Sequence, residues 1–142
     1  MKVKPVVTDR LTCRHTSFLT ELEFASNITF LHGDSGVGKS AVFSFLQELS
    51  ATDSRVKCLS YLDHRRAYKT QLRLSRGKLF VIDNADVLLD DTLRAFIAQD
   101  LNNQYLIIGR NPTGLKLHTD EIRELASETK DGVTRFFLTG TF

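Results

Sequence analysis

The hydrophobic residues fall into short blocks that alternate between two kinds of spacing. Asn27–His32 is an apolar run with Ile28, Phe30 and Leu31, ending at Gly33, and it predicts a strand. Lys39–Leu49 follows with Ala41, Val42, Phe43, Phe45, Leu46 and Leu49 wrapping most of a helix, which suits an interior helix packed on a sheet. Val56–Tyr61 predicts a second strand, and the stretch His64–Ser75 a helix with Tyr68 and Leu72 on one face, closed by Gly77. Leu79–Ile82 is four apolar residues in a row, the pattern of a strand buried on both faces. Thr92–Ala98 places Leu93, Phe96 and Ile97 at helical spacing, with Asp90 or Asp91 available as a cap. Tyr105–Ile108 predicts another buried strand.

The two ends of the chain are less regular. Val3–Val7 and Phe18–Phe24 predict short β segments separated by the polar stretch Thr8–Thr16. Thr119–Ala126 fits a helix capped by Thr119, or its second half pairs with Val133–Leu138 through an Asp131-Gly132 turn. Strands alternating with helices at short spacing predict an α/β domain with a largely parallel sheet.

With 142 residues, 42% hydrophobic and 25% charged, the chain is of single-domain size, and its composition excludes disordered and collagen-like classes. No repeat or linker divides it; residues 1–26 read as a β extension and 27–142 as the core. Cys13 and Cys58 form no CxxC, so they read as buried apolar thiols in a reducing compartment. The four histidines have no metal-ligand spacing, and His32 reads as a packing residue. No apolar run approaches the roughly 18 residues of a membrane span, and MKVKPVVTDR lacks a signal-peptide core, so a cytoplasmic protein is expected.

The net charge is only +2, but it is unevenly spread. Arg55–Lys78 carries eight Lys or Arg against Asp63 alone, whereas Asp83–Asp100 carries five Asp against Arg94. The two segments suit solvated faces or head-to-tail contact between copies. A basic segment containing Tyr61 and Tyr68 also admits nucleic acid as a partner.

The chemistry is concentrated in Gly33-Asp34-Ser35-Gly36-Val37-Gly38-Lys39-Ser40, a complete GxxxxGK[ST]. Glycines let the backbone curl so that successive N–H groups face phosphate oxygens, and the following helix adds its positive end. Lys39 would reach the β- and γ-phosphates and the Ser40 hydroxyl a Mg²⁺ ion. A random chain of this length would hold the motif at a rate on the order of one in 200, before asking for a strand ahead and a helix behind.

On these residues the chain resembles the P-loop NTPases over most of its length. Leu79-Phe80-Val81-Ile82-Asp83 supplies the second family motif, in which Asp83 would hold Mg²⁺ through its water shell. The strand at Val56–Tyr61, between loop and Asp, is similar to the additional-strand division that includes AAA+ and STAND ATPases. That resemblance implies a three-layer core with a mainly parallel sheet in the order 5-1-4-3-2, plus the short N-terminal β extension. It also implies Mg-ATP as ligand. An NKxD-type guanine element is missing, since Thr129-Lys130-Asp131-Gly132 has Gly where Asp is needed.

Two departures matter. Many family members carry Glu after the strand Asp, whereas here the string is Asp83-Asn84-Ala85-Asp86. An amide orients water but cannot take its proton, so slow hydrolysis is expected, with Asn84 or Asp86 positioning the water. Arg110, after Leu106-Ile107-Ile108-Gly109, resembles the STAND arginine that senses the γ-phosphate. The larger relatives add a helical lid, but this chain stops at Phe142. The expectation is therefore an open site completed by a partner protein or a second copy. The resulting reading is an ATP-dependent switch or motor core, with two alternatives. One is a non-hydrolysing, nucleotide-stabilised binding module; the other is a small phosphotransferase with Arg65 and Arg66 as phosphate clamps.

Overall fold

A computed structural model describes residues 3–32, 38–63 and 67–140. Eight strands form one sheet: β1 (Arg10–His15), β2 (Phe18–Glu23), β3 (Ile28–His32), β4 (Val56–Leu59), β5 (Leu79–Ile82), β6 (Gln104–Ile108), β7 (Ile122–Lys130) and β8 (Val133–Gly140). Four α-helices lie between them: α1 (Lys39–Ser50), α2 (Tyr68–Leu74), α3 (Ala85–Leu88) and α4 (Asp91–Gln99). The sheet order is β1-β2-β8-β7-β3-β6-β5-β4.

The expected three-layer P-loop NTPase core, a mainly parallel sheet in the order 5-1-4-3-2 with an appended N-terminal β extension, is corrected by this arrangement. The sheet is mixed and has eight strands curled into a half-barrel, and helical residues make up only 29%. Strands β7, β3, β6, β5 and β4 are consecutive and parallel, but the longest strands, β7 and β8, pair antiparallel, as do β1 and β2. The N-terminal hairpin is no appendage. Its strand β2 pairs in parallel with β8, Phe18 opposite Thr134 and Thr20 opposite Phe136, so both hairpins belong to the one sheet.

The physical reason lies in how the two faces are covered. Alternate residues of the short central strands point to opposite sides. Phe30, Phe80, Ile82, Tyr105 and Ile107 join one cluster with Tyr68, Leu72, Leu88, Leu93 and Ile97 of α2, α3 and α4. Leu31, Leu79, Val81, Leu106 and Ile108 join the other with Val42, Phe43 and Leu46 of α1. One helix cannot cover an eight-stranded face. The sheet's twist instead carries the hairpins around α1, and Leu11, Leu22, Phe24, Leu125 and Phe136 complete the same cluster. Edge strands β1 and β4 both touch α1. From β1, His15 bonds Glu48 at 2.8 Å and stacks on Phe45 at 5.3 Å.

The C-terminal segment takes the hairpin alternative. Asp131 and Gly132 have φ of 53° and 78°, the doubly left-handed pair that a two-residue I′ turn requires. Only Thr119–Glu121 keeps a helical turn, of the 3-10 kind. At the N-terminus the expected strand at Val3–Val7 is absent and β1 occupies the polar stretch instead. The Asn27 side chain accepts from Val6 N–H and Gln104 from Val7 and Thr8 N–H, which ties this segment down without a ladder.

Both cysteines are free and half-buried, on the α1 side of the sheet. Burial pushes the Cys58 thiol up to about 12. The unfolded thiol ionises near the ordinary value of about 8.5, so above that pH the unfolded chain sheds a proton that the folded chain keeps. The contribution of Cys58 to stability is therefore expected to be complete below the unfolded pKa and to fall as pH rises toward 12. Urea unfolding across that range should show a flatter pH slope for Cys58→Ala than for the parent.

Candidate functional site

Parallel pairing puts the carboxyl ends of β3, β4, β5 and β6 along one edge of the sheet, with Leu31 opposite Ile108, Ile82 opposite Ile107 and Leu59 opposite Ile82. This is the edge at which open parallel sheets place ligands. His32 ends β3 here, Asp83 follows β5, and Gly109 and Arg110 follow β6. The motif residues Gly33, Asp34, Ser35, Gly36 and Val37 lie outside the described residues, as do Arg65 and Arg66.

Gly38, Lys39 and Ser40 are described, and they lead into α1. Gly38 is the N-cap residue at φ 91°, left-handed, and its carbonyl accepts the first helical bond from Val42 N–H at 2.9 Å. A Cβ at Gly38 would lie 2.6 Å from Phe136 Cε1. Glycine is therefore required here by conformation and by space together. The aromatic ring comes from β8, because β7 meets β3 only at Ile122–Glu124 and then runs on past the sheet edge to its turn at Asp131. The hairpin stands as a wall beside the start of α1. Phe136 is backed by Phe18 and Phe45, at centroid distances of 6.0 and 6.3 Å.

The turn after β5 is tightly built. Asp83 N–H donates to Leu59 carbonyl at 2.8 Å, and its Oδ1 accepts from Asn84 N–H at 2.9 Å. Asn84 is left-handed at φ 52°, a conformation its short amide tolerates, and it starts α3. Asp86, in the first turn of α3, faces β6: Oδ2 accepts from Arg110 N–H at 2.9 Å and Oδ1 from Asn111 N–H at 3.0 Å. Arg110 itself is exposed. Asp83, Asp86 and Arg110 are thus gathered at one end of neighbouring strands. Asn84, next to Asp83, is exposed.

Arg94 is the residue that sequence reasoning missed. Its side chain is 6% exposed; Nε donates to Leu89 carbonyl at 3.1 Å, and Nη1 to the carbonyls of Asn111 and Thr113. Nη2 lies 3.6 Å from Asp86 Oδ1. A lone Arg between Leu93 and Ala95 on an amphipathic helix looks solvent-facing, and nothing local to it signals burial.

The Ser40 hydroxyl in the first turn of α1 and the Asp83 carboxylate after β5 are hard oxygens, the kind Mg²⁺ prefers. Among the described residues no group of three or more His, Cys, Asp or Glu is gathered for a metal. A cation here would accordingly be held by one or two protein oxygens and by phosphate, the usual habit of Mg²⁺ in phosphoryl-transfer sites.

Among the described residues the basic segment is largely occupied internally. Lys69 bonds Asp90 at 2.7 Å, Arg55 bonds Asp53 at 2.8 Å, and Arg73 lies 5.0 Å over the Phe96 ring. Lys69–Asp90 joins the basic and acidic segments within one chain. Tyr61 is exposed, but Tyr68 is buried with its hydroxyl donating to Leu88 carbonyl at 2.6 Å. Among the described residues no helix is long and apolar enough to cross a membrane. No protein-family model matches the chain, and no curated protein or solved structure matches it.

Proposed function

We propose that this chain binds Mg-ATP at the junction of β3 and α1, hydrolyses it slowly, and serves as a nucleotide-dependent switch that works with a protein partner or a second copy. The observation that carries the reading is the GxxxxGK[ST] run between a buried strand and a helix that packs one face on the sheet, with Gly38 left-handed at the helix start. In this reading, backbone N–H groups of Gly33–Ser40 cradle the phosphates and Lys39 neutralises them. Ser40 and Asp83 hold Mg²⁺, which neutralises developing charge at the phosphates. Asn84 orients a water without accepting its proton. Arg110 reads the third phosphate. Phe136 stands beside Gly38 at the start of α1, and a partner would cover the bound nucleotide.

A second reading, a binding module stabilised by nucleotide without turnover, is favoured by Asn84 standing where a carboxylate would act as base. One experiment separates the two: γ-labelled ATP is mixed stoichiometrically with protein and Mg²⁺, with Lys39→Ala as control. Label released as phosphate by the parent alone supports the ATPase. Label retained intact, and lost from Lys39→Ala, supports the module. The lost charge-assisted bond is worth about 1.5–3 kcal/mol, so the variant should bind roughly 10- to 150-fold more weakly. Equal binding by parent and variant would overturn both.

A further inference from the structure

We propose that Asp86 is the positioning residue for Arg110, so that discrimination between nucleoside triphosphate and diphosphate depends on a carboxylate that touches neither. The inference rests on the nucleotide-binding reading above and concerns the regulation of that same site. Asp86 is in α3, directly after the turn that carries Asp83, yet each of its carboxylate oxygens takes a backbone N–H from the loop after β6, one from Arg110 and one from Asn111. A carboxylate spanning two consecutive amides fixes the direction of the chain between them, and with it the direction in which Arg110 leaves the backbone.

The other side of the same loop is also held. Arg94 donates to the Asn111 and Thr113 carbonyls, and Asn111 Oδ1 accepts from Thr113 N–H at 3.0 Å. Two glycines let the parts close up. A Cβ on Gly109 would lie 3.2 Å from Ala85 Cβ and 3.4 Å from Asp86 Oδ1, and one on Gly114 would lie 3.3 Å from Arg94 Cβ. The loop is therefore clamped between an anion that takes its N–H groups and a buried cation that takes its carbonyls.

The test compares dissociation constants for Mg-ADP and for Mg²⁺ with the β,γ-imido analogue of ATP. It uses the parent chain, Asp86→Asn, Arg110→Ala and the double variant. Asn keeps the size of Asp but offers one acceptor oxygen in place of two, and thermal melting checks that each variant is folded. Arg110→Ala is expected to reduce the triphosphate preference about tenfold, the worth of one bond between charged groups. Asp86→Asn should reduce it at least about threefold and leave diphosphate affinity nearly unchanged, with no further loss in the double variant, as non-additivity of coupled residues requires. A second readout needs no nucleotide: amide exchange at Arg110 and Asn111 should accelerate in Asp86→Asn, while that of Leu106–Ile108 stays as in the parent.

Equal weakening of both nucleotides by Asp86→Asn, full additivity in the double variant, or unchanged amide exchange would overturn the positioning role. The underlying nucleotide reading would survive, provided that binding still depends on Lys39. Failure of the parent chain to bind either nucleotide would overturn both.

Discussion

Gly38→Ala is expected to unfold the protein at markedly lower urea concentration, with a loss of about 2–5 kcal/mol. Two costs combine. A left-handed residue with a Cβ costs about 1–2 kcal/mol, and forcing an extra methyl into packed surroundings about 1–3 kcal/mol. The second cost arises because the new Cβ would meet the Phe136 ring at 2.6 Å, and that ring is hemmed in by Phe18 and Phe45. The sign is informative, because Ala for Gly inside a helix usually stabilises by roughly 0.5–1 kcal/mol. A Gly38→Ala/Phe136→Leu variant should be less destabilised than the sum of its single changes, since leucine vacates the space the methyl needs. A stabilising Gly38→Ala, or strict additivity in the pair, would show that the hairpin does not press on the start of α1.

Arg94→Met should be destabilising by about 1.5–3 kcal/mol, the usual worth of hydrogen bonds from a charged group. The lost side chain leaves the Leu89, Asn111 and Thr113 carbonyls without their donor and Asp86 without its nearby cation. Arg94→Lys is expected to recover less than half. A single ammonium cannot reproduce donors that reach Leu89 from Nε and the loop carbonyls from Nη1. Denaturant titration with an unchanged slope would attribute the shift to stability. A loss below about 1 kcal/mol, the range of an ordinary surface change, would remove Arg94 from the account of the loop.

The elements that the sequence displayed were those whose burial is complete on both sides. β5 and Tyr105–Ile108 of β6 are continuous apolar runs, β3 is broken only by the buried Thr29 before His32, and Asp90 caps α4 through Leu93 N–H at 2.8 Å as its position implied. Tyr68 and Leu72 of α2 are buried on one face as their spacing indicated. What remained hidden depends on partners far away in sequence. β1 alternates correctly, with Leu11, Cys13 and His15 toward α1, but Cys13 and His15 are weak hydrophobic signals beside Arg10, Thr12 and Arg14. Val3–Val7 looked like a strand because its composition is that of one, whereas its N–H groups are claimed by side chains of Asn27 and Gln104. The mixed sheet was illegible for the same reason: nothing local to Phe18–Thr20 announces pairing with Thr134–Phe136.

The site was legible as a list of residues more than as an arrangement. Motif spacing led to Gly38, Lys39 and Ser40, and the resemblance to P-loop NTPases to Asp83 and Arg110; all are found at the start of α1 or after the carboxyl ends of β5 and β6. Asp86 was visible as a candidate for positioning water, not as a partner of the loop after β6. Its two amide partners lie 24 and 25 residues away, beyond any local pattern. Gly109 and Gly114 gave no signal that they were making room for Ala85 and Arg94.

The parallel pairing of β2 with β8 has a consequence for the order in which the molecule can be made. Thr134 N–H bonds Ser17 carbonyl at 2.8 Å, and Arg135 reaches Glu21 at 2.7 Å across 114 residues of intervening chain. On the ribosome the β1–β2 hairpin emerges long before β8 exists, and until then β2 has no neighbour on that side and its apolar residues no wall. Contacts so distant along the chain are slow to close, and an unpaired strand edge is a template for other chains in the meantime. The strands of this sheet that are made earliest are thus among the last to be completed. During that interval the newborn chain would need shelter from its own copies, and translation rate, more than final stability, would govern how much of it reaches the native state.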